Sequence, residues 1–298
     1  MADAFRSVEV TRVRGGARTT ASDRAATEEP LEVRLHGRAF AVIMRTPGAD
    51  RELAAGFLLA ERVLMSADDL GTIEYCTEVR PAEAGPSLQG DGTNVPDLAR
   101  SIRADAAVAE NIVNVTLANG SAATIDRLLA DRRQVMSNSS CGLCGRVTIE
   151  SLRTDVPPLD CPWTIDRATL AALPDRLRAS QGVFDETGGL HAAGLFTPEG
   201  TLEAVAEDVG RHNAVDKVIG RMLMQERLPL SQHLLLVSGR ASFEIVQKAL
   251  LAGVPIVASV SAPSTLAIDL ARDSGVTLVG FVRGDSFNIY AHPGRVGT

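Results

Sequence analysis

Residues 233–260 read HLLLVSGRASFEIVQKALLAGVPIVASV. A short apolar run leads through a small-residue turn into an amphipathic stretch, and a second apolar run follows it. Short apolar runs bounded by Gly, Ser and Pro are how strands buried on both faces read. The pattern recurs to the end of the chain, predicting strands over 233–237, 256–260 and 276–282 and helices over 242–251 and 264–273. Strands alternating with helices predict an α/β fold with a parallel sheet and crossover helices. In such a sheet, ligands bind beyond the carboxyl ends of the strands. Three segments fall there: Ser238-Gly239-Arg240-Ala241-Ser242, Ser261-Ala262-Pro263-Ser264 and Arg283-Gly284-Asp285-Ser286. The first two also open a helix and offer free N–H groups to an anion. Arg240 and Arg283 add fork-shaped donors suited to phosphate. Together they point to a phosphate-bearing ligand such as a nucleotide, against the plainer reading that Ser and Gly are ordinary caps and turns.

Moving outward, residues 207–217 form the densest polar cluster of the chain, Glu207-Asp208-Val209-Gly210-Arg211-His212-Asn213-Ala214-Val215-Asp216-Lys217. From Val215 apolar residues recur at Val218, Ile219, Met222 and Leu223, as on a helix with one buried face. His212 and Asp216 stand one turn apart and can share a face. A further helix is expected over 166–181, followed by a polar turn that runs into the apolar segment ending at Phe196.

Near the middle of the chain, residues 139–145 read SSCGLCG and hold two of the four cysteines, Cys141 and Cys144. Ser140 suits an N-cap, which would place Cys141 in a first helical turn, where the dipole favours a thiolate. The glycines argue for a mobile loop. Four readings fit the pair: a dithiol–disulfide couple, half of a zinc site, a sulfur carrier working through a persulfide, or two ordinary cysteines in a turn. Zinc needs about four ligands, and Cys76 and Cys161 stand alone. Cys76 reads as a buried structural thiol after a short strand at 72–75.

At the amino end, residues 31–37 alternate apolar and polar, and with 39–44 predict a hairpin followed by a helix over 51–64. Residues 111–117 read as another strand, 125–129 as a short helix and 81–98 as a solvated insertion loop. The expected organisation is a flexible tail over 1–28, a smaller N-terminal α+β domain over 29–135, a mobile CxxC loop over 136–147 and a C-terminal α/β domain over 160–298. Aromatics are only 4% of residues, so the core is aliphatic, and a net charge of −7 weighs against a nucleic-acid-binding protein. No apolar run reaches the ~18 residues of a membrane span. No signal-peptide core is present at the amino end. The expectation is a cytoplasmic protein.

The motifs SSCGLCG, FDETGGLHAAG (184–194), EDVGRHNAVDKVIG (207–220), SGRASFEIVQKAL (238–250), SAPSTLA (261–267) and GFVRGDSFNIY (280–290), with residues 30–61 upstream, resemble the formate dehydrogenase accessory sulfurtransferase family, FdhD. The likeness covers roughly residues 29–291. It implies a sulfur carrier. A cysteine desulfurase would load sulfane sulfur on Cys141 as a persulfide, with Cys144 as the assisting thiol. The sulfur would pass to a bis-molybdopterin guanine dinucleotide cofactor bound for formate dehydrogenase. The family's cofactor-binding segment falls on Phe281, Val282, Arg283, Gly284, Asp285 and Ser286. Ser238, Gly239, Arg240 and Ser261, from the sheet-edge argument, join it. No permanently bound metal is implied, and the family is often dimeric, which implies a homodimer.

The resemblance also implies a C-terminal domain like that of cytidine deaminases, three-layered with a mainly parallel sheet. Those enzymes carry H-x-E beside zinc-binding cysteines; here His191 is followed by Ala192-Ala193, so the proton shuttle is missing. Asp208, His212 and Asp216 either orient the pterin and tune the loop thiolates or cap and neutralise a helix start. The alternatives to a carrier are a cofactor-binding chaperone that needs no thiol and a zinc-dependent hydrolase.

Overall fold

The computed structural model describes residues 3–76, 110–118, 126 and 157–297. The readings at 81–98, 125–129 and 136–147, and with them Cys141 and Cys144, lie outside the described residues.

The amino-terminal stretch corrects an expectation. In place of a flexible tail over 1–28, β1 (Phe5–Arg14) and β2 (Ala17–Ala26) pair antiparallel along their whole length. Gly15 and Gly16 make the turn with φ of 53° and 83°, the left-handed pair a tight hairpin loop requires. The ribbon carries few apolar side chains. Its order comes from backbone pairing and from contacts at its base, where the Arg24 guanidinium pairs with Glu186 and lies 5.4 Å from the Phe5 ring centre.

Next, β3 (Glu29–Leu35) and β4 (Arg38–Arg45) form the expected hairpin, and α1 (Asp50–Ala60) follows. With β5 (Leu70–Tyr75) and β6 (Ile112–Leu117) they build a four-stranded sheet in the order β4-β3-β6-β5. Buried Arg45 clamps the join between strand and helix: its Nε and Nη2 each donate to an Asp50 carboxylate oxygen at 2.9 Å, and Nη2 also donates to Asn111 at 2.6 Å. A two-pronged guanidinium–carboxylate pair fixes direction as well as distance. Cys76, past the end of β5, is half-buried rather than buried.

The carboxyl half contains α2 (Arg167–Arg178), α3 (Gly182–Thr187), β7 (His191–Phe196), β8 (Leu202–Asp208), α4 (Arg211–Met224), β9 (Leu234–Val237), α5 (Phe243–Leu251), β10 (Ile256–Ser259), α6 (Thr265–Ser274), β11 (Thr277–Arg283) and β12 (Ser286–Ala291). The sheet order is β12-β11-β10-β9-β7-β8. The three strands expected to be parallel, β9, β10 and β11, are parallel neighbours. The sheet as a whole is mixed, however, and not mainly parallel: β7, β8 and β12 run antiparallel to their neighbours. Short loops are the reason, since a connection of a few residues can only reverse a chain, and parallel pairing needs a crossover of a dozen or more.

Leu234 and Leu236 of β9 face a cluster with Leu170, Leu173 and Leu177 of α2, whereas Leu235 and Val237 face the main core. Both faces of this strand are dry, which is why its sequence shows no alternation. The main core runs without interruption from Leu31 and Val33 of β3, through Leu53 and Leu58 of α1 and Val215 and Val218 of α4, to the second sheet. Each fully buried Leu or Val contributes about 1.5–3 kcal/mol. The helices α1 and α4 touch backbone to backbone: a Cβ on Gly56 would overlap the Asp216 carbonyl, and one on Gly220 the Glu52 carbonyl. Among the described residues no helix is long and apolar enough to cross a membrane.

Candidate functional site

Because β9, β10 and β11 are parallel neighbours, the segments after them emerge at one edge of the sheet. The structure therefore brings Ser238-Gly239-Arg240, Ser261 and Arg283–Ser286 together. Their backbones are tied to one another. Ser259 Oγ donates to Gly239 O at 2.7 Å and accepts from Ser261 N at 3.0 Å. Ser261 O accepts from Phe281 N at 3.0 Å, and Ser264 N donates to Ala241 O at 3.0 Å. An edge preformed in this way holds its shape without ligand.

The residues of this edge divide by role. Ser238 serves the ladder: its N donates to Ala192 O at 2.9 Å and its hydroxyl accepts from Ala192 N at 2.8 Å. Ser286 Oγ donates to Arg283 O at 3.1 Å and closes the turn through Gly284 and Asp285, where Gly284 takes a φ of 55°. Val282 is a correction to the sequence reading. It is wholly buried in the smaller core cluster, so its side chain cannot meet a ligand. Its neighbour does the reverse. A register shift between Gly280 and Arg283 bulges β11, and Phe281 takes a left-handed φ of 55° with its ring exposed. That conformation costs a bulky residue about 1–3 kcal/mol and clusters at binding sites. Arg283 lies 5.8 Å from the Phe281 ring centre, and its Nε donates to Val260 O at 3.1 Å. The result is a flat guanidinium-and-ring rim at the β11 end.

At the β9 end stand two residues that the sequence reading did not assign to a site. His191 opens β7 beside Gly239, and Arg211 opens α4. Burial, Arg211 and His212 hold the His191 imidazole below its usual pKa, with Arg240 adding to them and Asp208 opposing. The edge is thus positive, in a chain of net charge −7.

The rest of the polar cluster points inward. Asp208 is wholly buried, 2.7 Å from Lys217 Nζ, and accepts from Thr46 N, Gly210 N and Asn213 Nδ2 at 3.1, 2.8 and 2.8 Å. Lys217 Nζ also donates to Thr46 O at 2.8 Å. Asp216, pushed up by burial against the pull of Lys248, accepts from Lys248 Nζ at 2.6 and 2.8 Å. His212 Nε2 meets Glu244 at 2.6 Å and Ser242 at 3.1 Å. Of the two readings offered for Asp208, His212 and Asp216, this geometry fits the structural one: they bind α4 to the 44–46 segment and to α5. Among the described residues no group of three or more His, Cys, Asp and Glu side chains could hold a metal ion.

Fold and site together define a mixed α/β protein with a basic, three-loop ligand edge at the ends of its parallel strands. The chain belongs to the FdhD/NarQ family, which it matches over residues 26–297. It is 50% identical over 295 residues to the sulfur carrier protein FdhD of Streptomyces avermitilis, covering 97% of this chain and 94% of that protein. The FdhD protein of Mycolicibacterium paratuberculosis is 47% identical over 291 residues, with 97% of each chain covered. A crystal structure from Desulfotalea psychrophila, assigned provisionally as a formate dehydrogenase accessory protein, superposes with a TM-score of 0.71 at 24% identity over 99% of this chain and 100% of that one. At that identity the likeness speaks for the fold.

Proposed function

We propose that this protein is a sulfur carrier in the maturation of formate dehydrogenase. The observation that carries the reading is the gathering of three loops from adjacent parallel strands at one basic edge, in a chain half identical to proteins named sulfur carriers. The Cys141 thiolate would attack the outer sulfur of a desulfurase persulfide. The donor S–S bond breaks, the donor leaves as a thiolate, and Cys141 keeps the sulfane sulfur. The substrate of the second step is the molybdenum cofactor with its guanine dinucleotide tails. The exposed Phe281 ring and the Arg283 plane beside it suit a flat heterocycle. Attack of the Cys144 thiolate on the Cys141 sulfur would release the outer sulfur as hydrosulfide to the metal and leave a Cys141–Cys144 disulfide, which a cellular thiol reductant resets. The same reading has the protein act in the cytoplasm as a homodimer, with a deaminase-like layering but without deaminase chemistry, since wholly buried Ala193 stands where the shuttle carboxylate would be.

A cofactor-binding chaperone would need the sheet edge and not the thiol, so Cys141→Ala separates the two. A carrier loses formate dehydrogenase maturation and keeps nucleotide binding. Retained maturation in the variant would leave the chaperone.

A further inference from the structure

The strands β7 and β9 run antiparallel, with Ala193 opposite Val237, which sets His191 beside Gly239 just past the end of β9. A Cβ on Gly239 would stand 3.2 Å from His191 Nδ1 and 3.7 Å from Arg211 Cβ. Only a glycine lets the three segments close so far, and the next residue in the chain is the exposed Arg240. Among the described residues neither ring nitrogen of His191 has a hydrogen-bond partner. Arg211 Nε is buried and also has none. Polar groups left unmade in a partly dry place cost about 1–3 kcal/mol each, so they are kept where something binds. The one carboxylate that faces this group, Asp208, is already neutralised by Lys217 at 2.7 Å. What remains is three nitrogen-bearing side chains from three elements with no counter-charge of their own.

We propose that His191, Arg211 and Arg240, gathered around Gly239, form a subsite for the diphosphate of a nucleotide laid along the sheet edge. The proposal rests on the reading of that edge as a nucleotide site and assigns its polarity. The base lies at the Phe281–Arg283 rim, and the diphosphate at the β9 end. One strand, β10, separates β9 from β11, so the two ends are about 10 Å apart, within the reach of an extended nucleoside diphosphate. An arriving anion gives His191 and Arg211 the partners they lack. It also offsets the positive surroundings that disfavour a protonated imidazole.

Titration calorimetry on the full chain, with GDP, guanosine and inorganic diphosphate as probes, tests this. The wild type is expected to bind GDP more tightly than guanosine. His191→Gln and Arg240→Gln should each weaken GDP by about tenfold, as the loss of one hydrogen bond to a charged group predicts. Both should leave guanosine affinity unchanged and abolish binding of inorganic diphosphate. Arg240 is exposed, so its variant stays folded even if the His191 variant does not. If the wild type binds GDP and neither substitution weakens it, the subsite is overturned and the nucleotide reading stands. If diphosphate binding is lost in the variants while GDP binds no better than diphosphate, the subsite stands and the guanine reading falls. If the wild type binds neither GDP nor diphosphate, both are overturned.

Discussion

The polar residues of 207–217 meet two opposite fates within one helical turn. Asp208, Asn213, Asp216 and Lys217 are buried and fully paired. Arg211, with His191 and Arg240 beside it, opens on the sheet edge with donors to spare. Both sets look alike in sequence, a run of charges at a helix start. What separates them is the side of the strand ends on which each side chain falls. Charges placed beneath α4 lose water on every side and persist only when paired. Charges placed past its first turn keep partial access to solvent, where an unused donor is tolerable and can be used by a ligand.

The sharpest way to break this contrast is to remove a buried partner. Asp208→Ala would leave the Lys217 ammonium without its counter-charge and strip an acceptor from three donors. We expect a loss of about 3–5 kcal/mol in urea unfolding; a loss under about 1 kcal/mol would place Asp208 with the edge residues. Next comes the crossing of α1 and α4. Gly220→Ala drives a methyl into the Glu52 carbonyl, and overpacking of this kind costs about 1–3 kcal/mol, read in the same unfolding experiment.

On the other side of the contrast, Phe281→Ala should leave the unfolding midpoint within about 0.5 kcal/mol of wild type. It should nevertheless weaken GDP binding several-fold, since stacking on an aromatic ring contributes about 1–3 kcal/mol. An equal effect on both would make Phe281 a packing residue. The smallest effect is expected at Tyr75, whose pKa is pushed up to about 12 from an ordinary 10.0 by burial and by the Asp50 carboxylate it touches. A folded pKa above the unfolded one means that the fold favours the neutral phenol. That contribution is whole below about pH 10 and is lost as pH rises toward 12. The chain has 2 tyrosines, so an absorbance titration compared with that of Tyr75→Phe isolates this phenol, and a midpoint near 10 would contradict the burial.

The residues that were legible in sequence are those whose pattern and place agree. The runs at Leu234–Val237 and Ile256–Ser259 are apolar throughout because both faces are covered, and the turn and helix after each left only a parallel arrangement. Three antiparallel strands escaped notice for different reasons. Leu202–Asp208 ends in the charge cluster, which masks its alternation; Ser286–Ala291 is mostly half-exposed; and His191–Phe196 begins in a polar turn. The hairpin of Phe5–Ala26 lacks a buried face altogether, yet Gly15-Gly16 between two equal runs was a usable signal. The three-loop edge followed from topology, but its division of labour did not. A bulge exchanges the faces of Phe281 and Val282, and only proximity to Gly239 picks out His191 from the other histidines.

The central claim is that Cys141 carries the sulfur. Mass spectrometry of the protein after incubation with a cysteine desulfurase and cysteine tests it most directly. The account predicts one added sulfur atom on the peptide that contains Cys141, removed by reductant and missing in Cys141→Ala. A peptide that stays unmodified while the desulfurase turns over, or a sulfur found on Cys76 or Cys161 instead, would contradict it.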